Sequence, residues 1–432
     1  MQRGELLKEM VAGFREDCNG ILDAAEKAPW GRVIDGLEFE ARRLAHRRYA
    51  VLLQQAVVWR SKQWRRASAP GCQCGVRMRL VGRMPRAVMS VVGELRFRRR
   101  HYYCDACGHS RWPFDEAMGL SGGWTAGAVR LITRAGVRTS FAEARTDLKE
   151  LAELPVSAET VRRVTEETAQ RLVTEPSAGA GRAEESGEAF QPADRAYTTM
   201  DGTMVNTLEG WREVKLGALY DQSKARQHYT ATLEPAAAFG LMLRRQAQGL
   251  RFGRAGEKVA GGDGAEWIWK QMAVNFPTVD HQFLDFYHLS ENVHAAAWRI
   301  YGEGTPQGRR WAHTMLHWAK HHGGRRLLRA LDRSRSQHRT RKARDALDRL
   351  RRYVFNHLAR MAYPQLQQQG IDIGTGAQES ACKNVIGRRL RGGGMRWAPA
   401  NAEAMARLRA MMYSTGQWDD FWQAWQPHRG AA

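Results

Sequence analysis

The chain has 432 residues, and its 67 Lys and Arg against 45 Asp and Glu give a formal net charge of +22. Its 43% hydrophobic residues and 15 Trp are enough to form folded cores, which excludes a wholly disordered protein. No run of about 18 apolar residues occurs, and the charged N-terminus lacks the apolar segment of a secretory signal. We therefore expect a cytoplasmic protein without membrane-spanning helices.

The basic residues are mostly Arg, with 56 Arg against 11 Lys. A GC-rich genome explains an excess of Arg over Lys, but it does not explain an excess of basic over acidic residues. A guanidinium group can donate two parallel hydrogen bonds to a phosphate or to the edge of a guanine base. The composition therefore predicts a polyanionic partner, with double-stranded DNA as the first choice.

The first 66 residues are predicted to form a helical N-terminal region. Leu and Ala recur there at steps of three and four residues, which is the period of an amphipathic helix. The region ends in a basic cluster, Arg60, Arg65 and Arg66.

Four of the six Cys form two close pairs separated by 29 residues. In a cytoplasmic chain such pairs are typical of a metal site rather than of disulfides. The residues between the pairs contain β-branched and alternating runs, so we predict a zinc ribbon over residues 67–115. The thiolates predicted to bind structural Zn²⁺ are Cys72, Cys74, Cys104 and Cys107.

The first pair is C-x-C instead of the usual C-x-x-C, which leaves alternatives open. His101 or His109 can replace one thiolate, and two pairs of buried free Cys are the simpler alternative. Cys18 and Cys382 stand alone and are predicted to carry no chemistry.

Residues 120–174 return to a helical pattern with short breaks. Ser157 is a candidate N-cap for the last of three helices. Two helices joined by a short turn resemble a helix-turn-helix, with Thr160, Arg162 and Arg163 facing outward as candidate DNA contacts. Any three-helix bundle gives a similar pattern, so both interpretations stay open.

Residues 175–195 contain mainly Gly, Ala, Ser, Pro and Glu, which is typical of a linker. The linker is predicted to separate a basic, DNA-binding half from a C-terminal half that carries the chemistry.

After the linker, the pattern predicts three strands, a helix, a strand, a helix and a strand over residues 196–289. This order matches a ribonuclease H-like α/β fold, in which an antiparallel set of strands lies beside parallel strands. Asp201, Asp263 and Asp285 are predicted to end the first, fourth and fifth strands.

The first and fourth strands of such a fold are neighbours, so Asp201 and Asp263 are expected to meet. Two close carboxylates repel each other unless divalent cations lie between them, which predicts Mg²⁺ or Mn²⁺. Two such ions can activate a water or a 3′-hydroxyl for attack on a phosphodiester. The alternative is that both Asp belong to ordinary Asp-Gly turns.

Residues 290–370 are predicted to form an all-helical insertion. Between Arg309 and Arg352 there are fifteen Lys and Arg and three Asp, a net of +12. We interpret this insertion as a DNA clamp; the alternative is a solvated helical face. Its candidate DNA contacts are Arg325, Arg326, Arg339, Arg341 and Lys342.

Residues 371–432 complete the catalytic domain and add C-terminal helices. Glu379 opens a predicted helix and is a candidate third metal-ligating carboxylate, although the helix dipole alone also favours an acid there. Arg388 and Arg389 follow as further candidate DNA contacts.

Four motifs together resemble bacterial insertion-sequence transposases of the ISKra type, within the Mutator-like group of DDE enzymes. They are DGT at Asp201, GDGAEWI around Asp263, D-F-Y-H-x-x-E-N from Asp285, and E-x-x-x-K-N-x-I-x-R-R-x-R-G-x-G-M-x-W from Glu379. The resemblance covers most of residues 70–415 and is more specific in the C-terminal half.

The resemblance implies a DNA transposase that cleaves at the ends of its insertion sequence and transfers the strands to target DNA. It makes Asp201 the first metal ligand and Glu379 the third. The second is Asp263 or Asp285, with Asp263 favoured by the strand order and Asp285 and His288 as accessory residues. Such reactions need paired ends, which implies a homodimer or a larger assembly.

Two other functions stay open at this point. One is a structure-specific nuclease of the same fold, and the other is a domesticated DNA-binding regulator without catalysis.

Overall fold

The computed structural model describes residues 3–63, 69–120, 122–174 and 189–425. The chain forms two compact units, Met1–Thr168 with Ala424–Ala432, and Ala169–Gln423. The predicted basic residues Arg65 and Arg66, and residues 175–188 of the predicted linker, lie outside the described residues.

The first unit begins with two long helices, in the region where the sequence predicts helical structure. They pack through a double hydrogen bond from the Arg48 guanidinium to Asp17, at 2.5 and 3.0 Å. These helices are α1 (Arg3–Lys27) and α2 (Val33–Gln63), with a single 3-10 turn between them at Trp30–Arg32.

A small antiparallel sheet follows, in the place predicted for a zinc ribbon. Its strands are β1 (Arg79–Ser90), β2 (Gly93–Tyr103) and β3 (Ser110–Arg111), in that order, followed by the short helix α3 (Pro113–Ala117). The sheet has a core of its own, formed by Cys72, Met78, Tyr102 and Cys104.

Three helices then surround a second core of the first unit. They are α4 (Ala126–Arg138), α5 (Phe141–Ala152) and α6 (Ala158–Thr174). Ser140 and Glu143 form a capping box at the start of α5. The Ser157 hydroxyl accepts a 3.0 Å hydrogen bond from Thr160 N, which confirms the predicted N-cap of α6.

The second unit is built on a five-stranded mixed sheet with the order β6-β5-β4-β7-β8. Its strands are β4 (Arg195–Thr207), β5 (Gly210–Asp221), β6 (Gln227–Thr232), β7 (Glu257–Gly262) and β8 (His281–Leu284). The first three are antiparallel, and β7 and β8 extend the sheet in parallel from β4. The predicted succession of strands and helices is confirmed.

The first strand is longer than predicted, and Asp201 does not end it. β4 continues to Thr207, and Asp201 pairs with Leu216 within the ladder. The turn falls at Leu208 and Glu209, where Gly210 has a φ of 104°. The residues after Asp201 alternate in side-chain type and continue the strand, so the Asp-Gly pair makes no turn there.

Two cores cover the two faces of the sheet. One holds α7 (Ala236–Gly249) and α8 (Glu266–Asn275) against the sheet through Phe239, Leu243 and Met272. Phe190, within the predicted linker, is fully buried in this core. The other face packs against Leu366 and Ile371.

The predicted helical insertion is present and packs around its own apolar core. Its helices are α9 (Phe286–Tyr301), α10 (Pro306–His322), α11 (Gly324–Gln337), α12 (Arg341–Asn356) and α13 (Tyr363–Gln368), with a 3-10 turn at Leu358–Arg360. Leu327 and Leu331 of α11 face Leu347 and Leu350 of α12 in this core. The Arg residues lie on the opposite faces of these two helices.

The last segment contains an irregular helix. It comprises α14 (Gly376–Ala381), a π-helical turn (Cys382–Gly387) and α15 (Arg388–Leu390), followed by α16 (Pro399–Tyr413) and α17 (Gln417–Gln423). The fully buried Arg409 donates hydrogen bonds to the carbonyls of Asn384 and Val385 within the π-helical turn. No helix among the described residues is both long enough and apolar enough to span a membrane.

Candidate active site

Three Asp lie level with one another across three neighbouring parallel strands. Met200 pairs with Gly262 and Gly262 pairs with Leu284, and an Asp directly follows each of these residues. Asp201, Asp263 and Asp285 therefore meet at one edge of the sheet, as the strand order predicts.

Glu379 and His288 complete the group. Asp285, His288 and Glu379 each offer a ligand atom, and these atoms all lie within 4.8 Å of one another. His288 Nδ1 also lies 3.9 Å from an Asp263 carboxylate oxygen and 3.2 Å from Glu291. His288 thus lies between Asp263 and the Asp285–Glu379 pair, and Asp201 lies beside Asp263 on the neighbouring strand.

Sequence reasoning missed two side chains that hold the carboxylates in place. The Cys382 thiol donates to Asp201 at 3.3 Å, so this isolated Cys has a place in the site after all. The Tyr353 hydroxyl, from the helical insertion, donates to Asp263 at 3.4 Å. Tyr353 also packs on Gly264, where a Cβ would lie 2.3 Å from its ring. No motif marks Tyr353, because only the fold brings the insertion to this edge.

The electrostatics of the group favour a bound cation. Burial raises the pKa of Asp201, against hydrogen bonds from Gly202 N and Cys382 that lower it. Burial also raises the pKa of Asp285, and burial together with the charge of Asp285 raises that of Glu379. Burial lowers the pKa of His288, but the charges of the surrounding carboxylates outweigh it and raise that pKa overall.

The donor set fits a hard divalent ion. Carboxylate oxygens are the ligands that Mg²⁺ and Mn²⁺ prefer, and several of them converge here at a partly open edge. Asp285, His288 and Glu379 are the described residues at this edge whose ligand atoms lie close enough together to hold one such ion. Asp201 and Asp263 lie at the same edge, and their role as metal ligands stays a prediction.

The four predicted zinc thiolates also converge. Sγ of Cys72 lies 3.4 Å from that of Cys107, and Sγ of Cys74 lies 3.5 Å from that of Cys104. Tetrahedral Zn²⁺ with Zn–S distances of about 2.3 Å requires sulfur atoms that are nearly this close. Because all four thiols meet, no His is needed as a ligand; His101 stacks on Trp112 instead, with ring centroids 4.1 Å apart.

Comparison with known proteins finds a distant structural likeness and no match by sequence. No protein-family model matches the chain, and no curated protein matches it. Among solved structures, the chain is similar to the Drosophila P element transposase strand transfer complex, with a TM-score of 0.34 and 10% identity. The match covers 69% of this chain and 94% of that chain. A likeness this distant carries no argument about activity, and the resemblance to ISKra-type transposases stays a prediction.

The predicted DNA contacts on α6 are paired with acids of the same helix. Arg162 contacts Glu159 at 2.5 Å and Glu166 at 2.6 Å, and Arg163 contacts Glu167 at 3.1 Å. To bind a phosphate, each of these Arg must give up a carboxylate partner, which lowers the net gain in binding free energy.

The predicted contacts on the insertion lie on its surface. Arg339, Arg341 and Lys342 are exposed at the junction of α11 and α12, and within the described residues they have no ion pair. Arg325 is exposed, and Arg326 packs over the Trp318 ring at 4.4 Å.

Two predicted DNA contacts at the end of the irregular helix, Arg388 and Arg389, differ in burial. Arg388 is exposed, whereas Arg389 is only 2% exposed and packs over the Trp397 ring at 4.9 Å. A predicted DNA contact at Arg389 does not fit this burial, because its guanidinium lies inside the fold.

Proposed function

We propose that this chain is a DDE-type DNA transposase with a ribonuclease H-like catalytic domain. The strand order β6-β5-β4-β7-β8, with three antiparallel strands followed by two parallel ones, supports that fold assignment. The finer assignment to the ISKra type rests on the sequence motifs.

The observation that carries the proposal is the convergence of carboxylates at one edge of the sheet. Asp201 and Asp263 come from neighbouring parallel strands, and Glu379 comes from a short helix that follows the insertion. Three carboxylates from three elements in a basic protein suit phosphodiester chemistry, in which a metal neutralises the charge of DNA.

These carboxylates would hold two Mg²⁺ ions, which would supply Lewis-acid chemistry at the phosphodiester and activation of the nucleophile. The protein orients its own ligands: Cys382 fixes one oxygen of Asp201, and Tyr353 fixes one oxygen of Asp263. His288 lies beside Asp263 and is positively charged over a wider pH range than a free imidazole, because its pKa is raised.

In the proposed reaction, water cleaves a phosphodiester at the end of the element and leaves a 3′-hydroxyl. That hydroxyl then attacks a phosphodiester of the target DNA, and the target strand is released with a 3′-hydroxyl of its own. The zinc ribbon and α4–α6 recognise the ends, and the basic insertion holds the DNA backbone. Paired ends require at least a homodimer.

Metal-dependent cleavage of a plasmid by single variants tests the proposal. Asp201→Asn, Asp263→Asn and Glu379→Gln should each lower the cleavage rate by about 100-fold or more, because each removes a metal-ligating charge. Glu266→Gln is the matched control, since Glu266 lies three residues from Asp263 but pairs with Lys270 in solvent. Cleavage that survives all three changes contradicts the proposal, and cleavage without any strand joining points to a nuclease instead.

A further inference from the structure

Asp285 occupies the same level of the sheet as Asp201 and Asp263 and is close to Glu379. On position alone, it competes with Asp263 to be the second metal ligand. Its hydrogen bonds distinguish the two residues.

The carboxylate of Asp285 is already occupied by the protein. The residue is fully buried, and one oxygen accepts a 2.6 Å hydrogen bond from Tyr287 N. The other accepts from Thr375 N at 2.9 Å and also from the Thr375 hydroxyl. A carboxylate accepts about four hydrogen bonds, so three good donors leave little capacity for a cation that keeps water in its shell.

Thr375, which donates to Asp285, is also hydrogen-bonded to the backbone of Glu379. Thr375 precedes α14, and its carbonyl accepts a 2.9 Å hydrogen bond from Glu379 N. A second bond joins the same two segments, from Phe286 N to the Ile373 carbonyl at 3.0 Å. Asp285 thus connects the end of β8 to the first turn of the helix that carries Glu379.

That helix needs external anchors. α14 is the first part of the irregular helix, and the backbone groups of its first turn have no partners within the helix. Gln378 supplies one anchor, because it accepts from the Thr199 hydroxyl and donates to the Leu216 carbonyl, both at 2.8 Å. The Asp285–Thr375 pair supplies the other, at the N-terminus of the helix.

Asp263 is more exposed than Asp285 and accepts fewer hydrogen bonds. Its side chain is 32% exposed, and its hydrogen bonds from Gly264 N and Tyr353 both go to the same oxygen, Oδ1.

We propose that Asp285 is a positioning residue that fixes Glu379 through Thr375 and is not itself a metal ligand. The inference rests on the proposed metal-dependent function. It gives a structural reason for the accessory role that the sequence motifs imply for Asp285.

Mn²⁺ binding to the full chain separates these roles, with the metal alone as the probe. Asp263→Asn should lose one bound Mn²⁺ or weaken its binding at least tenfold. Asp285→Asn should keep the wild-type number of ions, while DNA cleavage falls in both variants. Loss of the same ion in Asp285→Asn overturns the inference, whereas a wild type that binds no Mn²⁺ overturns the proposed function itself.

A second pair of variants leaves every carboxylate in place. Thr375→Val removes the hydroxyl that donates to Asp285 and keeps the side-chain shape, and Thr375→Ser restores the hydroxyl. At saturating Mn²⁺, the Thr375→Val variant should cleave DNA at least about tenfold more slowly than wild type. The reason is that a small displacement of Glu379 lowers the cleavage rate steeply. Thr375→Ser should stay within about threefold of wild type. Wild-type cleavage by Thr375→Val overturns the inference even if Asp285→Asn fails to fold.

Discussion

Asp201, Asp263 and Asp285 follow equivalent strand positions, yet their side chains meet different surroundings. Asp201 accepts from the Cys382 thiol, Asp263 from the Tyr353 hydroxyl, and Asp285 from Thr375. The sequence predicts the three Asp, because a strand pattern precedes each of them. It does not predict their partners, since these come from residues 90 to 181 positions away in the chain.

His228 on β6 gives a residue-scale prediction of pH dependence. The residue is 1% exposed, and burial, with help from Arg226, lowers its pKa to about 4 from 6.5. The unfolded state therefore takes up a proton near pH 6.5 while the folded state stays neutral, so stability falls as the pH drops from 6.5 towards 4. Between pH 7.5 and 5 this group should cost about 2 kcal/mol of unfolding free energy.

The measurement is urea unfolding of wild type and His228→Leu at both pH values. The variant should gain about 2 kcal/mol relative to wild type at pH 5, whatever their difference at pH 7.5. His313→Asn, at an exposed position on α10, is the control. A difference between wild type and His228→Leu that does not change with pH contradicts the assignment.

At the scale of single elements, the sequence predicts turns and helix irregularities poorly. Asp-Gly at Asp201 is a typical turn pair, but β4 runs through it because twelve residue pairs of the β4–β5 ladder hold it extended. The π-helical turn at Cys382–Gly387 had no sequence signal either. It depends on Arg409, which comes from a later helix and donates to its carbonyls.

The small sheet with the four thiols is an element whose stability should depend on metal. Its core contains two of the four thiols, Cys72 and Cys104, and few other apolar side chains. Cys104→Ser should therefore lose the bound zinc and expose the β1 and β2 amides to hydrogen exchange. Cys18→Ser, which changes an isolated Cys on α1, should do neither. Full protection of β1 and β2 in metal-free Cys104→Ser contradicts this account.

The basic insertion should set the salt dependence of DNA binding. Changing Arg339, Arg341 and Lys342 together to Ala should lower the slope of log K against log salt by about 2 to 3, since each phosphate contact contributes about 0.9. Arg335 and Arg351 form a matched control, because Asp348 and Asp332 already neutralise them. Their double Ala variant should change the slope by less than about 1. Equal effects of the two variants contradict the clamp interpretation.

At the scale of the whole molecule, the sequence predicts the helices, the mixed sheet and the order of its strands. The helices and strands follow from hydrophobic period and β-branched runs, which are local properties. The order of the strands in the sheet follows from matching their succession to a known fold. Phe190 shows the limit of such reasoning: its neighbours are typical of a linker, but tertiary packing buries it in the core of the second unit. Arg389 shows the same limit, since a basic side chain in a basic segment is buried over Trp397.

The central claim is that the carboxylates at the sheet edge cut and join DNA. The most direct measurement maps broken and joined 3′ ends after wild type and Asp201→Asn act on a plasmid that carries the DNA flanking the gene. With Mg²⁺, wild type should break this DNA at fixed ends and join those ends to target DNA, and Asp201→Asn should do neither. Tight, salt-sensitive binding by both proteins without breaks in Mg²⁺ or Mn²⁺ would contradict the claim and indicate a DNA-binding regulator.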